Sequence, residues 1–99
     1  MRVLLVCAMG MSTSILMKKM EAYWAERGED NQIAAVGVTE VEDACADYDV
    51  ILVGPQMSYR KDEVAQSTGK PCAAIPPTDY GLANCAAVDA LAKKTCGLA

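Results

Sequence analysis

Arg2-Val3-Leu4-Leu5-Val6-Cys7-Ala8-Met9-Gly10-Met11-Ser12-Thr13-Ser14 is the stretch on which the reading of the fold turns. Its first half is an unbroken run of branched aliphatics, too continuous to leave one face in water, so it reads as a strand buried on both sides. Its second half holds one glycine and three small hydroxyl residues, and from Ser12 or Thr13 a helical spacing takes over. Hydroxyl side chains suit a helix start because they accept hydrogen bonds from backbone N–H groups that have no partner inside the helix. Ile15, Leu16, Met20, Tyr23 and Trp24 then fall on one face, and Gly28 is a natural stop. A buried strand that turns at once into a helix is the opening of a βαβ unit.

The alternation repeats along the chain. Gln32 to Val38, Val50 to Gly54 and Pro71 to Ile75 are further short apolar runs, expected as buried parallel strands. Thr39 with Glu42 has the form of a capping box ahead of Val41, Ala44 and Cys45, which predicts a short helix ending near Tyr48. Gly54-Pro55 breaks the chain, and a third helix is expected over Ser58 to Ser67, turned back by Gly69-Lys70-Pro71. A last helix should start between Asp79 and Asn84 and run through Ala86, Val88, Leu91 and Ala92 to Lys93-Lys94, with Gly97 as terminator. Strands alternating with helices predict an α/β fold: a small open four-stranded parallel sheet whose right-handed crossovers put helices on both faces. Ligands of such sheets sit outside the carboxyl ends of the strands, next to the reversal in strand order, and the first strand usually flanks that reversal.

With 99 residues, 53% of them hydrophobic and 22% charged, a single domain over 1–99 is expected. The formal charge of -4 repels polyanions, so nucleic acid is not an expected partner. Val3 to Val6 is too short for a signal-peptide core, and no stretch approaches the roughly 18 apolar residues of a membrane span, which predicts a cytoplasmic, non-spanning protein. Five cysteines, Cys7, Cys45, Cys72, Cys85 and Cys96, stand at irregular spacings without a CxxC pair. That pattern speaks against a zinc site or a disulfide framework, and no metal or cofactor is expected. Histidine is absent, so chemistry has to run on sulfur, hydroxyls, carboxylates or backbone dipoles.

Cys7 through Ser14 can supply that chemistry. A loop between the strand end and a helix start near Ser12 aims unpaired N–H groups at whatever Cys7 carries, which makes an anion cradle. Gly10 permits backbone angles a side chain forbids, and Ser12, Thr13 and Ser14 add donors without filling the space of a tetrahedral oxyanion. The helix dipole favours a thiolate there. Cysteine is otherwise among the most buried residue types, and the filler reading suits Cys45, Cys72, Cys85 and Cys96. Met9 and Met11 fit either a core or an exposed rim for docking several protein partners. Phosphatases with a cysteine nucleophile carry an arginine six residues on, where this chain has Thr13. Without a guanidinium, the transferring phosphoryl group loses its main charge stabiliser, and Asp79 is the only candidate general acid. A cradle that holds phosphate on sulfur and does little to help water remove it suits a phosphoryl carrier. The alternatives are a cysteine-based small phosphatase or arsenate-reductase-like enzyme, and a non-enzymatic anion-sensing module. A redox role would require Cys45 or Cys72 to approach Cys7.

LLVCAMGMSTSILMKKM and DVILVGPQMSY resemble the enzyme IIB components of the lactose/cellobiose/chitobiose class of the bacterial sugar phosphotransferase system: an aliphatic strand, a phosphorylated cysteine and its GMSTS loop, then a third strand with a GPQ-x-x-Tyr turn. Lys70-Pro71 and Tyr80-Gly81 fit as well, while the C-terminal third, with Cys85 and Cys96 in an alanine-rich helix, is similar in character only. The resemblance implies a four-stranded parallel sheet with helices on both sides, the layout of low-molecular-weight tyrosine phosphatases. It implies that Cys7 accepts a phosphoryl group from phosphohistidine of an enzyme IIA and passes it to a sugar, such as cellobiose, lactose or chitobiose, held by the membrane-embedded enzyme IIC. Ala8, Met9, Gly10, Met11, Ser12, Thr13 and Ser14 would hold the phosphate, with Gln56 and Tyr80 in neighbouring loops. The protein would work in the cytoplasm and meet the inner face of the membrane through enzyme IIC.

Overall fold

The structure, a computed structural model, describes residues 1–7 and 11–98, and their side chains other than those of Cys7 and residues 11–13. Four strands among these residues, β1 (Arg2–Cys7), β2 (Gln32–Gly37), β3 (Val50–Val53) and β4 (Cys72–Ala74), form one parallel sheet in the order β2-β1-β3-β4. The helices are α1 (Met11–Arg27), α2 (Val41–Ala44), α3 (Lys61–Thr68), α4 (Pro77–Gly81) and α5 (Cys85–Thr95). Single 3-10 segments extend α2 over Cys45–Asp47 and precede α3 over Pro55–Arg60.

Side chains on successive strand residues point to opposite faces, and the aliphatic run of β1 uses both. Val3 and Leu5 join Val50 and Leu52 of β3 beneath Leu16, Met20 and Trp24 of α1 and Val88 and Ala92 of α5. Leu4 and Val6 join Ile51 and Val53 beneath Val41, Cys45, Met57 and Val64 on the other face. The expectation of fully buried strands holds for Val3 to Val6 of β1 and for β3, the two central strands, and not for β2 and β4. Those two are sheet edges, with one neighbour each, so their residues stay only half-buried apart from the exposed Gln32.

Four local expectations change. Ile15 is 61% exposed, because the buried stripe of α1 follows Leu16, Met20 and Trp24 and Ile15 stands about 100° round the helix from Leu16. The Thr39–Glu42 capping box does not form: the residue before α2 is Glu40, its backbone already close to helical, with no side-chain cap. A capping side chain needs an extended backbone to reach the helix N–H groups, and here the Glu40 N–H instead closes a turn onto the Gly37 carbonyl at 3.0 Å. The last helix is two helices, separated by Ala83 in the left-handed region (φ 49°), after which Asn84 caps α5 by accepting from the Ala87 N–H at 3.2 Å. The third helix begins at Lys61 rather than Ser58, since Pro55–Arg60 takes the tighter 3-10 path.

A buried polar network, invisible in the apolar pattern, joins α1 to α5. The Trp24 indole Nε1–H donates to Asp89 Oδ1 at 2.8 Å, and Lys93 Nζ sits 3.0 Å from Asp89 Oδ2 and 2.7 Å from Glu29 Oε1. The hydrogen bonds to Glu29 and Asp89 hold the Lys93 ammonium above its usual range. Burial pushes the Cys72 thiol up to about 11 from an ordinary 9.0. Both groups have a higher pKa folded than unfolded, so each adds stability below its unfolded pKa and loses it as pH climbs through the folded one. Urea midpoints should therefore hold steady to about pH 9 and fall from there upward, and Cys72→Ala should flatten the portion between pH 9.0 and about 11. A midpoint independent of pH across that window overturns the assignment.

Candidate functional site

Chain order reverses between β1 and β3, which lie side by side with Val6 opposite Val53. That reversal leaves a crevice outside their carboxyl ends. Cys7 closes β1 on its rim, and α1 starts at Met11, so its 17 residues direct the positive end of the helix dipole toward that edge. Ser14 lies half-buried in the first turn. The roles expected for Ala8, Met9 and Gly10, and for the side chains of Cys7, Met11, Ser12 and Thr13, fall outside the described residues.

β3 delivers the opposite wall. The Gly54 N–H donates to the Val6 carbonyl at 3.0 Å, which extends the β1–β3 pairing one step past the strand end. Gln56 and Tyr80, far apart in sequence, come together here. The point where a Cβ on residue 54 would stand is 3.0 Å from Gln56 Oε1, 3.7 Å from Tyr80 Cε1 and 3.8 Å from the Val6 carbonyl oxygen. Tyr80 also lines an open cleft of about 220 Å³ between α1 and α4, with Ile15, Leu16, Lys19, Gly81 and Ala83. Next to the cleft Leu82 is 74% exposed, so apolar surface extends along this side of the molecule.

Asp79, the candidate acid, is occupied in local structure: its Oδ1 accepts from Asn84 Nδ2 at 3.4 Å and its carbonyl from the Asn84 N–H at 2.9 Å, closing the α4–α5 turn. The other cysteines are held as packing groups. Cys45 is buried in the core beneath α2 and donates its thiol to the Glu42 carbonyl. Burial raises the Cys72 and Cys85 thiols, against the opposing field of Lys61 and Lys19 respectively, so neither is a ready thiolate. Cys96 lies against Met1 in a second hollow lined by Met1, Asp49, Cys96 and Leu98, where Asp49 immediately precedes β3, at the amino end of the sheet. No group of three metal-ligating side chains occurs among the described residues, and none of their helices is long and apolar enough to cross a membrane.

Gly54 and Asp89 are the two residues that pattern reading passed over. Gly54 carries a spatial role that the Gly-Pro pair masks as a simple chain break. Asp89 had one signal, since a tryptophan expected in the core needs an acceptor for its indole N–H.

The geometry has counterparts among known proteins. Residues 2–90 match the profile of the family described as PTS system, Lactose/Cellobiose specific IIB subunit. Similar chains include a galactose-specific EIIB component of Lactococcus lactis subsp. cremoris, 40% identical over 79% of this chain and 80% of that one. An oligo-beta-mannoside-specific EIIB component of Bacillus subtilis is 36% identical over 84% of each. A cellobiose-specific EIIB component of Lactococcus lactis subsp. lactis is 38% identical over 79% of this chain and 80% of that one. Among solved structures, the cellobiose-specific IIB component of Borrelia burgdorferi superposes with a TM-score of 0.81 at 32% identity, covering 98% of this chain and 92% of that one. The lactose-specific IIB domain of Streptococcus pneumoniae, at 18% identity, shares the fold with a TM-score of 0.79 over 92% of this chain and 93% of that one. By sequence and by fold together, this chain belongs to the lactose/cellobiose-specific IIB subunit family of the sugar phosphotransferase system.

Proposed function

We propose that Cys7 is the residue that carries the phosphoryl group, and that the whole chain, 1–99, acts as one IIB domain. The observation that supports this most is positional: β1 ends on a cysteine at the strand-order reversal, and a long helix starts four residues later. An anion attached at the strand end meets the positive end of that helix. Residues 8–14 hold the phosphate through amides and hydroxyls, and Gln56 and Tyr80 border it from neighbouring loops.

The reaction is two in-line transfers. A P–N bond on a phosphohistidine of enzyme IIA breaks as the S–P bond to Cys7 forms, and the imidazole keeps the bonding pair. The S–P bond then breaks as a sugar hydroxyl on membrane enzyme IIC bonds phosphorus, its proton passing to a base on the acceptor side. Positioning and electrostatics do the catalytic work, as elsewhere in phosphoryl transfer. That division of labour fits a chain with no histidine of its own. The protein acts in the cytoplasm and reaches the inner face of the membrane through enzyme IIC. Its sugar is a β-linked disaccharide such as cellobiose, lactose or chitobiose.

Intact-mass spectrometry after incubation with the upstream phosphoryl donors should show one added phosphate, and peptide mapping should place it on Cys7. Phosphate on any other residue, or none, overturns the assignment. In a reconstituted system a panel of mono- and disaccharides should show a β-linked disaccharide phosphorylated fastest, and a faster monosaccharide would displace the sugar class.

A further inference from the structure

Nothing in the backbone calls for glycine at residue 54. Its φ of -65° and ψ of 160° are ordinary extended angles, open to any residue and favoured before a proline such as Pro55. Space is what sets it apart. A carbon added there would stand 3.0 Å from Gln56 Oε1 and 3.7 Å from the Tyr80 ring, and the first of these is well inside comfortable contact. The Gln56 side chain, exposed as it is, thus folds back over the α-carbon of residue 54 into the volume a side chain would claim. The Val6 carbonyl oxygen, 3.8 Å from the same point, belongs to the same peptide unit as the Cys7 nitrogen, so the carboxamide and the strand end border one volume.

A carboxamide carries two N–H donors and no charge. Beside a phosphoryl group it fixes orientation, and it lends water much less help than a guanidinium would. We infer that Gly54 is a positioning residue for phosphoryl transfer: the room left by its missing side chain lets the Gln56 carboxamide lie beside the Val6–Cys7 peptide and donate a hydrogen bond to the group on Cys7. The inference rests on the reading of Cys7 given above and adds to it a way in which β3 takes part.

Gly54→Ala, Gln56→Ala and the double variant test it in the full chain, with kcat and KM for the phosphorylated donor protein measured separately and a melting temperature for each. Gly54→Ala should lower kcat about tenfold, as should Gln56→Ala, with KM changed less than about twofold. The double variant should be no slower than Gln56→Ala alone, because both changes remove one contact. A glycine of merely structural importance would lower the melting temperature and multiply its effect with that of Gln56→Ala. That multiplication overturns the inference, as does an unimpaired Gly54→Ala or Gln56→Ala. Should Gly54→Ala not fold, Gln56→Asn keeps the chemistry and shortens the reach: the same kcat loss supports the inference and a wild-type kcat overturns it. A wild-type protein that forms no phosphocysteine removes the reading of Cys7, whereas phosphocysteine with an unimpaired Gly54→Ala removes this inference alone.

Discussion

Cys7→Ser is expected to slow phosphoryl transfer from donor to sugar by roughly 10³-fold or more while leaving the melting temperature within about 2 °C of the parent. The size follows from the two jobs proposed for the sulfur. As nucleophile, a thiol near a helix N-terminus reaches its anion within the physiological range, and an alkyl hydroxyl in the same place does not. As leaving group, a thiolate departs from phosphorus far more readily than an alkoxide, so a serine that did become phosphorylated would hold the group and stall the second transfer. A reconstituted assay with both partners measures the overall rate, and intact mass measures occupancy. Retention of transfer within about tenfold would remove Cys7 from the reaction.

The same position explains why a carrier and not a hydrolase is expected from this loop. Thr13 stands where a cysteine phosphatase places its arginine. The candidate acid Asp79 is engaged with Asn84 in the turn between α4 and α5. Of the two groups a phosphatase uses to hand the phosphoryl group to water, one is therefore replaced and the other stands in a turn with Asn84. What remains is the helix end and the neutral Gln56 carboxamide, which, in the role proposed for them, would hold an anion without speeding its hydrolysis.

The parts legible from the sequence are those where a single local signal suffices. β1 was legible because a run of aliphatics with both faces buried occurs only in the middle of a sheet, and its packing into both cores follows from that. Gly28 and Gly69, at φ 70° and 68°, stop α1 and α3 because few other residues adopt those angles. Features that depend on what lies across the fold were not legible. Whether β2 is central or an edge turns on strand order, which the apolar run Ile33 to Val36 does not encode. Thr39 and Glu42 have the spacing of a cap, but the turn closed by the Glu40 N–H onto Gly37 sets the backbone first. The meeting of Gln56, Tyr80 and Gly54 is a product of the β1–β3 pairing and the placement of α4, and nothing within ten residues of any one of them announces the full set.

The largest stability effect outside the aliphatic core is expected at Asp89. Asp89 is buried on α5, 7% exposed as a residue, and its carboxylate accepts the Trp24 indole N–H at 2.8 Å and faces Lys93 Nζ at 3.0 Å. Asp89→Ala leaves the indole N–H of a side chain that is itself 1% exposed without an acceptor, and an unsatisfied buried donor costs about 1–3 kcal/mol. It also opens a small void between α1 and α5, for a combined loss of about 3 kcal/mol. For a domain of this size that lowers the thermal midpoint by roughly 10–20 °C. Asp89→Asn keeps an acceptor for the indole and gives up the charge opposite Lys93, whose Nζ retains Glu29 at 2.7 Å, so its loss should be less than half as large. Trp24→Phe removes the donor, and in combination with Asp89→Ala the two losses should fall short of additivity, since both delete one hydrogen bond. Urea unfolding followed by tryptophan fluorescence checks the Asp89 variants, and circular dichroism checks those without the indole. Equal destabilisation by Asp89→Asn and Asp89→Ala would shift the weight of the network from the indole to the Lys93 ion pair. The phosphorylation proposed for Cys7, at the far end of α1 from Trp24, should proceed at the parent rate in every variant measured below its midpoint.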